Sequence, residues 1–394
     1  MALELKPTPS LADRLKTIDQ ISAEINEKAG VKLVGRIGKD PDIMDKLAIK
    51  FIPSACLDFN AATGGGYPRG RCTIISGLAD AGKSLRVLED IGKSMRDSKD
   101  FLALWVESEK SLEKNNICQT FQIDPERFVF IEYDENKGAE GILDILYAFM
   151  KAVNFDMVCI NSLKCLTPKK ILEEDMNNQI PAIAARLNSL MTQKFTALVA
   201  NSNAAFILIT HQYTGIGTYG APMVLSGGHA IKYWAALILS FSRPSIGTSD
   251  PISKDEGVHI KVSVKKNHCV PDRNPYVNFE YYAIFGEGTD NTIPIVNKLV
   301  EAGIVNKGGA YYKFKLADGT EVSQQGTTKF RQYLKNNPEV FEDLVKRLNG
   351  DTSTVKSMTA EEIDQAKSEE EETAKMATEM QAGAAKQKKK KGLK

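Results

Sequence analysis

The chain has 394 residues, 42% hydrophobic and 26% charged, which excludes a wholly disordered, collagen-like or coiled-coil molecule. Its 51 lysines and arginines against 50 aspartates and glutamates leave a net charge of +1, so a polyanionic partner must meet a local basic surface. The apolar runs are too short to span a bilayer, and Met1 to Lys6 carry no apolar signal core, so a soluble cytoplasmic protein of two or three domains is expected.

In chain order, the first 30 residues place Leu11, Leu15, Ile18, Ile21 and Ile25 on one stripe of a helix that Ser10 and Asp13 can cap. That stripe must bury itself on its own domain or on a neighbouring subunit. From Cys72 onward, near-continuous apolar runs at 72–76, 102–106, 127–131, 157–160 and 205–209 alternate with helix-like stretches. Such runs suit parallel strands covered on both faces. Later, Val258, Ile260, Val262 and Val264 alternate with His259, Lys261, Ser263 and Lys265, as half-exposed antiparallel strands do. The fold class expected is α/β, a mostly parallel sheet with an antiparallel extension.

After Gly286-Glu-Gly288 a compact segment runs to about Gly350, with helix-like stretches at 296–299, 330–334 and 341–348. Residues beyond it lose all aromatics and carry Glu369 to Glu372, then Lys388 to Lys391, which reads as a disordered charged tail. The division expected is an N-terminal oligomerisation segment over 1–35, a core over 36–288, a small α/β domain over 289–350 and a tail over 351–394. Six cysteines with no C-x-x-C pair argue for reduced thiols. Four histidines with no H-x-x-x-H spacing argue against a zinc hydrolase.

The strongest chemical signal is Gly77-Leu78-Ala79-Asp80-Ala81-Gly82-Lys83-Ser84, between a strand and a helix that begins near Leu85. Glycines let the main chain curl so that its N–H groups face a nucleotide's phosphates. Lys83 supplies a point charge to the β/γ-phosphates of ATP and Ser84 ligates Mg²⁺. The next strand ends in Glu107-Ser-Glu109, carboxylates placed to polarise a water that attacks the γ-phosphate. The strand 156–161 ends in Asn161, where such enzymes carry an aspartate that holds magnesium's water. An amide oxygen still accepts that bond, but the negative charge is gone. If Asn161 faces the metal, Asn161→Asp should speed hydrolysis, unless Glu107 already supplies the charge and the second carboxylate slows it.

In these residues the chain resembles the RecA-type recombinases, including bacteriophage members similar to UvsX. The resemblance spans about residues 30–348. Beside the P-loop it rests on Gly64-Gly-Gly-Tyr-Pro-Arg-Gly70, Glu107-Ser-Glu109, Asn161-Ser-Leu-Lys-Cys-Leu-Thr-Pro168 and Ile183-Ala-Ala-Arg186. Further matches are Thr210-His-Gln212, Gly227-Gly-His-Ala-Ile-Lys-Tyr233 and Lys266-Asn-His268.

It implies that Glu109 is catalytic and that Gln212 senses the γ-phosphate. Residues Glu173 to Pro181 and Tyr213 to Ser226 would be two DNA-binding loops. Arg186, Ser189, Ile216, Gly227, Gly228 and His229 would contact DNA, and Lys266 with His268 would reach a neighbouring subunit's ATP. The second loop also reads this way by itself. Gly215, Gly217, Gly220 and Pro222 deny it regular structure, and Ile216, Tyr219 and Met223 can wedge between or stack on bases. Two departures stand out: Asn161 replaces an acid, and His268 replaces a lysine, which Lys265 would restore if the register slips by one.

The function expected is an ATP-dependent recombinase that forms helical filaments on single-stranded DNA and exchanges strands with homologous duplex. A single-strand-binding protein and a loader would assist it in a bacterial or phage-infected cell. The alternative is an ATP-gated DNA-binding scaffold with little or no hydrolysis. A hexameric helicase ranks third, for want of an arginine finger and a motor-type N-terminal module.

Overall fold

The computed structural model describes residues 10–41, 48–110, 112–174, 183–214, 223–225, 228–247, 250–272 and 274–348. The expected tail over 351–394 lies outside the described residues. The chain divides into two compact units, one up to Ile52 and one from Pro53.

In the first unit the expected helix spans Leu11–Ala29. Ser10 caps it, its hydroxyl accepting from the Asp13 N–H, and Gly30 closes it at φ 66°. Asn26 then folds the following segment back. Its Oδ1 accepts from the N–H groups of Leu33 at 2.7 Å and Val34 at 2.9 Å. Arg36 and Lys39 both reach Asp19 at 2.8 Å. Leu11, Ile18, Ile21 and Ile25 stay exposed, as do Leu33 and Ile37.

In the second unit, short β2 (Tyr67–Pro68) follows the two-residue β1 (Phe51–Ile52) of the first. The parallel strands are β3 (Arg71–Gly77), β4 (Ala103–Glu107), β5 (Phe128–Glu132), β6 (Met157–Asn161) and β7 (Ala205–Thr214). After β8 (Met223–Leu225) come β9 (Leu237–Ser242), β10 (Gly257–Asn267), β11 (Asn278–Ile284) and β12 (Gly288–Asp290). The sheet order is β12-β11-β10-β9-β3-β7-β6-β4-β5, with β8 paired to β7. β9 is parallel to β3, while β10, β11 and β12 add antiparallel. Ile74, Leu104, Val158 and Phe206 are fully buried, packed with Ile142 and Leu146 of helix Gly138–Ala152 and Phe195 and Val199 of helix Ile183–Ser202. The runs in β3, β4, β6 and β7 are nearly continuous because both faces of these strands are covered, whereas the edge strand β5, expected to be covered likewise, leaves Phe130 exposed.

Two readings need correction. β7 runs past Ile209 to Thr214 and pairs antiparallel with β8, Gln212 opposite Leu225 and Thr214 opposite Met223. Both ends of the expected irregular loop are therefore strands, because a hairpin pairs backbone groups whatever glycines follow. In β10 the alternation fails at His259, which is buried and stacked on Tyr282 with ring centroids 4.6 Å apart.

The C-terminal segment has its own core. Strands β13 (Asn306–Gly308), β14 (Tyr311–Lys315) and β15 (Glu321–Gln325) form an antiparallel sheet. Helices Thr292–Glu301, Thr327–Asn336 and Pro338–Leu348 pack with it around Leu299, Phe314, Phe330 and Leu344. Among the described residues, no helix is long and apolar enough to cross a membrane.

Candidate functional site

Strand order decides which residues meet. Because β3 lies beside β7, β7 beside β6 and β6 beside β4, the ends carrying Gly77, Gln212, Asn161 and Glu107 line one edge of the sheet. In open parallel sheets that carboxyl edge is where ligands bind. The P-loop leaves β3 at Gly77, passes Asp80 at φ 57° and enters helix Lys83–Asp97 from Gly82 at φ 79°. Gly77 also needs its missing side chain, since a Cβ there would stand 2.4 Å from the Phe241 carbonyl of β9.

Lys83 is buried, and its Nζ donates to the Leu78 carbonyl at 2.6 Å, folding the ammonium over the loop. Burial lowers its pKa, and the Glu109 and Asp80 carboxylates oppose that. Leu78, Ala79, Asp80 and Leu85 are exposed at the mouth, while Ala81 is buried.

Ser84 donates from Oγ to Asn161 Oδ1 at 2.8 Å, so the two expected metal-binding residues do meet. Asn161 is fully buried and its Nδ2 donates to Glu107 Oε2 at 2.8 Å. Glu107, opposite Asn161 in the register of β4 and β6, also accepts from Trp105 Nε1 at 2.9 Å and the Glu109 N–H at 3.0 Å. A hydroxyl and an amide oxygen with a carboxylate behind them form a hard oxygen set, which fits Mg²⁺.

Glu109 is half-buried at the mouth, with Oε1 2.9 Å from His211 Nε2. Burial pushes its carboxyl up, but hydrogen bonds from Ser162 and His211, with the charges of His211 and Lys83, hold it below the usual carboxylate value. Gln212 donates from Nε2 to Ser76 Oγ at 2.8 Å, on the strand that leads into the P-loop, and to Ser240 Oγ at 2.9 Å, on the neighbouring β9. Sequence reading missed His211, Ser76 and Ser240 as site residues. His211 sits inside a quoted motif, but no local pattern marks two serines that meet a glutamine across a sheet.

On the expected DNA face, Arg186 is exposed and Ser189 half-buried, one turn apart on helix Ile183–Ser202. Gly228, at φ 82°, lies against Ala185, and His229 is exposed beside it, its ring 6.4 Å from Tyr233. Ile216 and Gly227 lie outside the described residues, as do 175–182 of the first loop. Lys266 donates from Nζ to the carbonyls of Lys232 at 2.9 Å and Tyr233 at 3.1 Å, capping a helix of its own subunit. His268 is exposed. The β9–β10 register shifts between Val264 and Lys266, so exposed Lys265 sits in an irregularity one residue from Lys266.

The family model of the RecA N-terminal domain matches residues 16–290. The RecA protein of Brucella anthropi is 29% identical over 334 residues, covering 84% of this chain and 88% of that protein. RecA of Thermus aquaticus is 29% identical over 347 residues, covering 87% and 94%. RecA of Brucella canis is 28% identical over 334 residues, covering 84% and 88%.

Proposed function

Because its match over residues 16–290 shows that the chain belongs to the RecA family of recombinases, we propose that it is a DNA-dependent ATPase assembling as helical filaments on single-stranded DNA and promoting homologous pairing and strand exchange. The observation that carries this is Gln212. It bonds Ser76 and Ser240 beside the P-loop, and β7 leads on from it into the expected DNA loop over 213–226.

Each residue then has a task. The backbone N–H groups of Gly77 to Ser84 cradle the phosphates, with the Lys83 ammonium exchanging the Leu78 carbonyl for phosphate oxygen. Ser84 and the Asn161 oxygen would hold magnesium, which would supply positive charge to neutralise the phosphates. Glu109 takes a proton from the attacking water, and His211 and Ser162 keep its carboxylate charged and aimed. Gln212 trades its serine partners for the γ-phosphate and pulls on the β7–β8 hairpin, tying nucleotide state to DNA affinity. Arg186, Ser189, Gly228 and His229 form the DNA face, completed by Ile216 and Gly227. Lys266 and His268 meet the neighbouring subunit's nucleotide. The first unit's exposed apolar stripe docks on the next subunit, a heterologous contact that propagates a helix.

The test is phosphate release with and without single-stranded DNA, paired with electron microscopy. DNA-stimulated release and helical filaments are expected; closed rings, or release indifferent to DNA, refute the reading. An amide at 161 favours the second reading, an ATP-gated scaffold. That would show as ATP-dependent filaments with negligible release.

A further inference from the structure

The family's acidic residue is absent at Asn161, yet Asn161 has a carboxylate directly behind it. Ser84 Oγ donates to its Oδ1, and its Nδ2 donates to Glu107. A carboxylate can only accept, so Glu107 fixes which end of the amide faces it. The oxygen is thereby turned toward Ser84. Glu107 itself is 2% exposed and gathers three donors: Trp105 Nε1, Asn161 Nδ2 and the Glu109 N–H.

We propose that Glu107 is the positioning residue that takes over from the missing carboxylate, orienting the Asn161 oxygen toward the metal side of Ser84 and supplying its negative charge through that amide. Hydrogen bonds in a chain polarise one another, so a carboxylate behind Asn161 enriches the amide oxygen it cannot touch. Coulomb energy falls only as the reciprocal of distance, so a charge one side chain further back keeps much of its attraction for a divalent ion. Glu109, another carboxylate at this edge, is engaged by His211 at 2.9 Å and faces the mouth. Glu107 is opposite Asn161 because β4 and β6 are paired in register, and no spacing along the chain shows that. An aspartate at 161 would set two carboxylates face to face at the 2.8 Å now spanned by an N–H bond, a repulsion that a bound divalent ion would relieve.

The proposal rests on the phosphate-site reading, and one titration tests both. Binding of a fluorescent ATP analogue to the full chain is followed against Mg²⁺ concentration, with no hydrolysis required. Glu107→Gln raises the Mg²⁺ midpoint by about tenfold. Adding Asn161→Asp to Glu107→Gln, which moves the single charge across the gap, returns the midpoint to near the wild-type value. A structural role for Glu107 predicts no such rescue. Trp105, bonded to Glu107, adds a local signal once the other tryptophan is removed by Trp234→Phe: its fluorescence responds to Mg²⁺ in the parent and not in Glu107→Gln. If Glu107→Gln does not fold, the double variant decides, a raised midpoint overturning the proposal. Unaltered Mg²⁺ dependence in a folded Glu107→Gln also overturns it. Failure of the parent chain to bind the analogue at any Mg²⁺ concentration overturns the phosphate-site reading itself.

Discussion

The Lys83 ammonium is held by a loop carbonyl at 2.6 Å, so Lys83→Ala removes a polar contact of the kind phosphate would replace. Charged hydrogen bonds contribute about 1.5–3 kcal/mol, so ATP affinity should fall roughly ten- to a hundredfold while the thermal unfolding midpoint stays close to the parent's. Equilibrium binding and a melting curve check both. Glu109 carries the pH dependence. Burial alone would raise its pKa, and Ser162 and His211 reverse that, leaving the folded value below the unfolded one. A lowered carboxyl stabilises the fold above its unfolded pKa, and that contribution is lost as pH falls through the folded value. Activity follows the same sign, since the charged form is the base. His211→Ala removes a hydrogen bond and a charge, so the acid limb of the ATPase profile should move to higher pH. A limb that stays put would show that His211 does not hold Glu109.

At the scale of elements, the P-loop depends on how closely β3 and β9 approach. Gly77 pairs with Phe241 in the parallel register, and a Cβ would lie 2.4 Å from that residue's carbonyl oxygen. Backbone cannot step aside as a side-chain tip can. Gly77→Ala should therefore cost about 1–3 kcal/mol, as overpacking does, and distort the turn that aims the Gly77 to Ser84 N–H groups. Urea unfolding and ATP binding should both be impaired, unlike Lys83→Ala, where only binding suffers. The β7–β8 hairpin makes the same point about connection: Gln212 lies opposite Leu225, so a shift of its side chain acts directly on the strand that returns from the expected DNA loop.

At the scale of the whole molecule, the proposed function makes two predictions at the ends of the chain. The first unit keeps Leu11, Ile18, Ile21 and Ile25 exposed along one helix, a surface a monomer gains nothing by presenting. Removing residues 1–30 should give a chain that still binds ATP but forms no filaments; light scattering equal to the full chain's on ATP and DNA would refute the docking role. At the other end, residues 386–394 hold six lysines. Each phosphate contact adds about 0.9 to the log–log salt slope of duplex binding, so deleting these nine residues should flatten it. An unchanged slope would mean that they touch no DNA.

The sequence by itself determined the fold class and named much of the candidate site. Near-continuous apolar runs at 72–76 and 157–160 suit strands buried on both faces, and Gly77 to Ser84 is a local device whose glycines, lysine and serine act within one turn of chain. The helix from Leu11 was legible for the same reason, its cap and stripe being spaced by helical geometry. What the tertiary structure decided are the partnerships between strands distant in sequence. Glu107 with Asn161, Glu109 with His211, and Gln212 with Ser76 and Ser240 each join residues 28 to 136 positions apart. Sheet order and register set those pairs, and neither has a local signature, because strand pairing is fixed by which whole faces pack together. For that reason Asn161 reads in sequence as a lost charge, and in the fold as an amide backed by the carboxylate of the neighbouring strand.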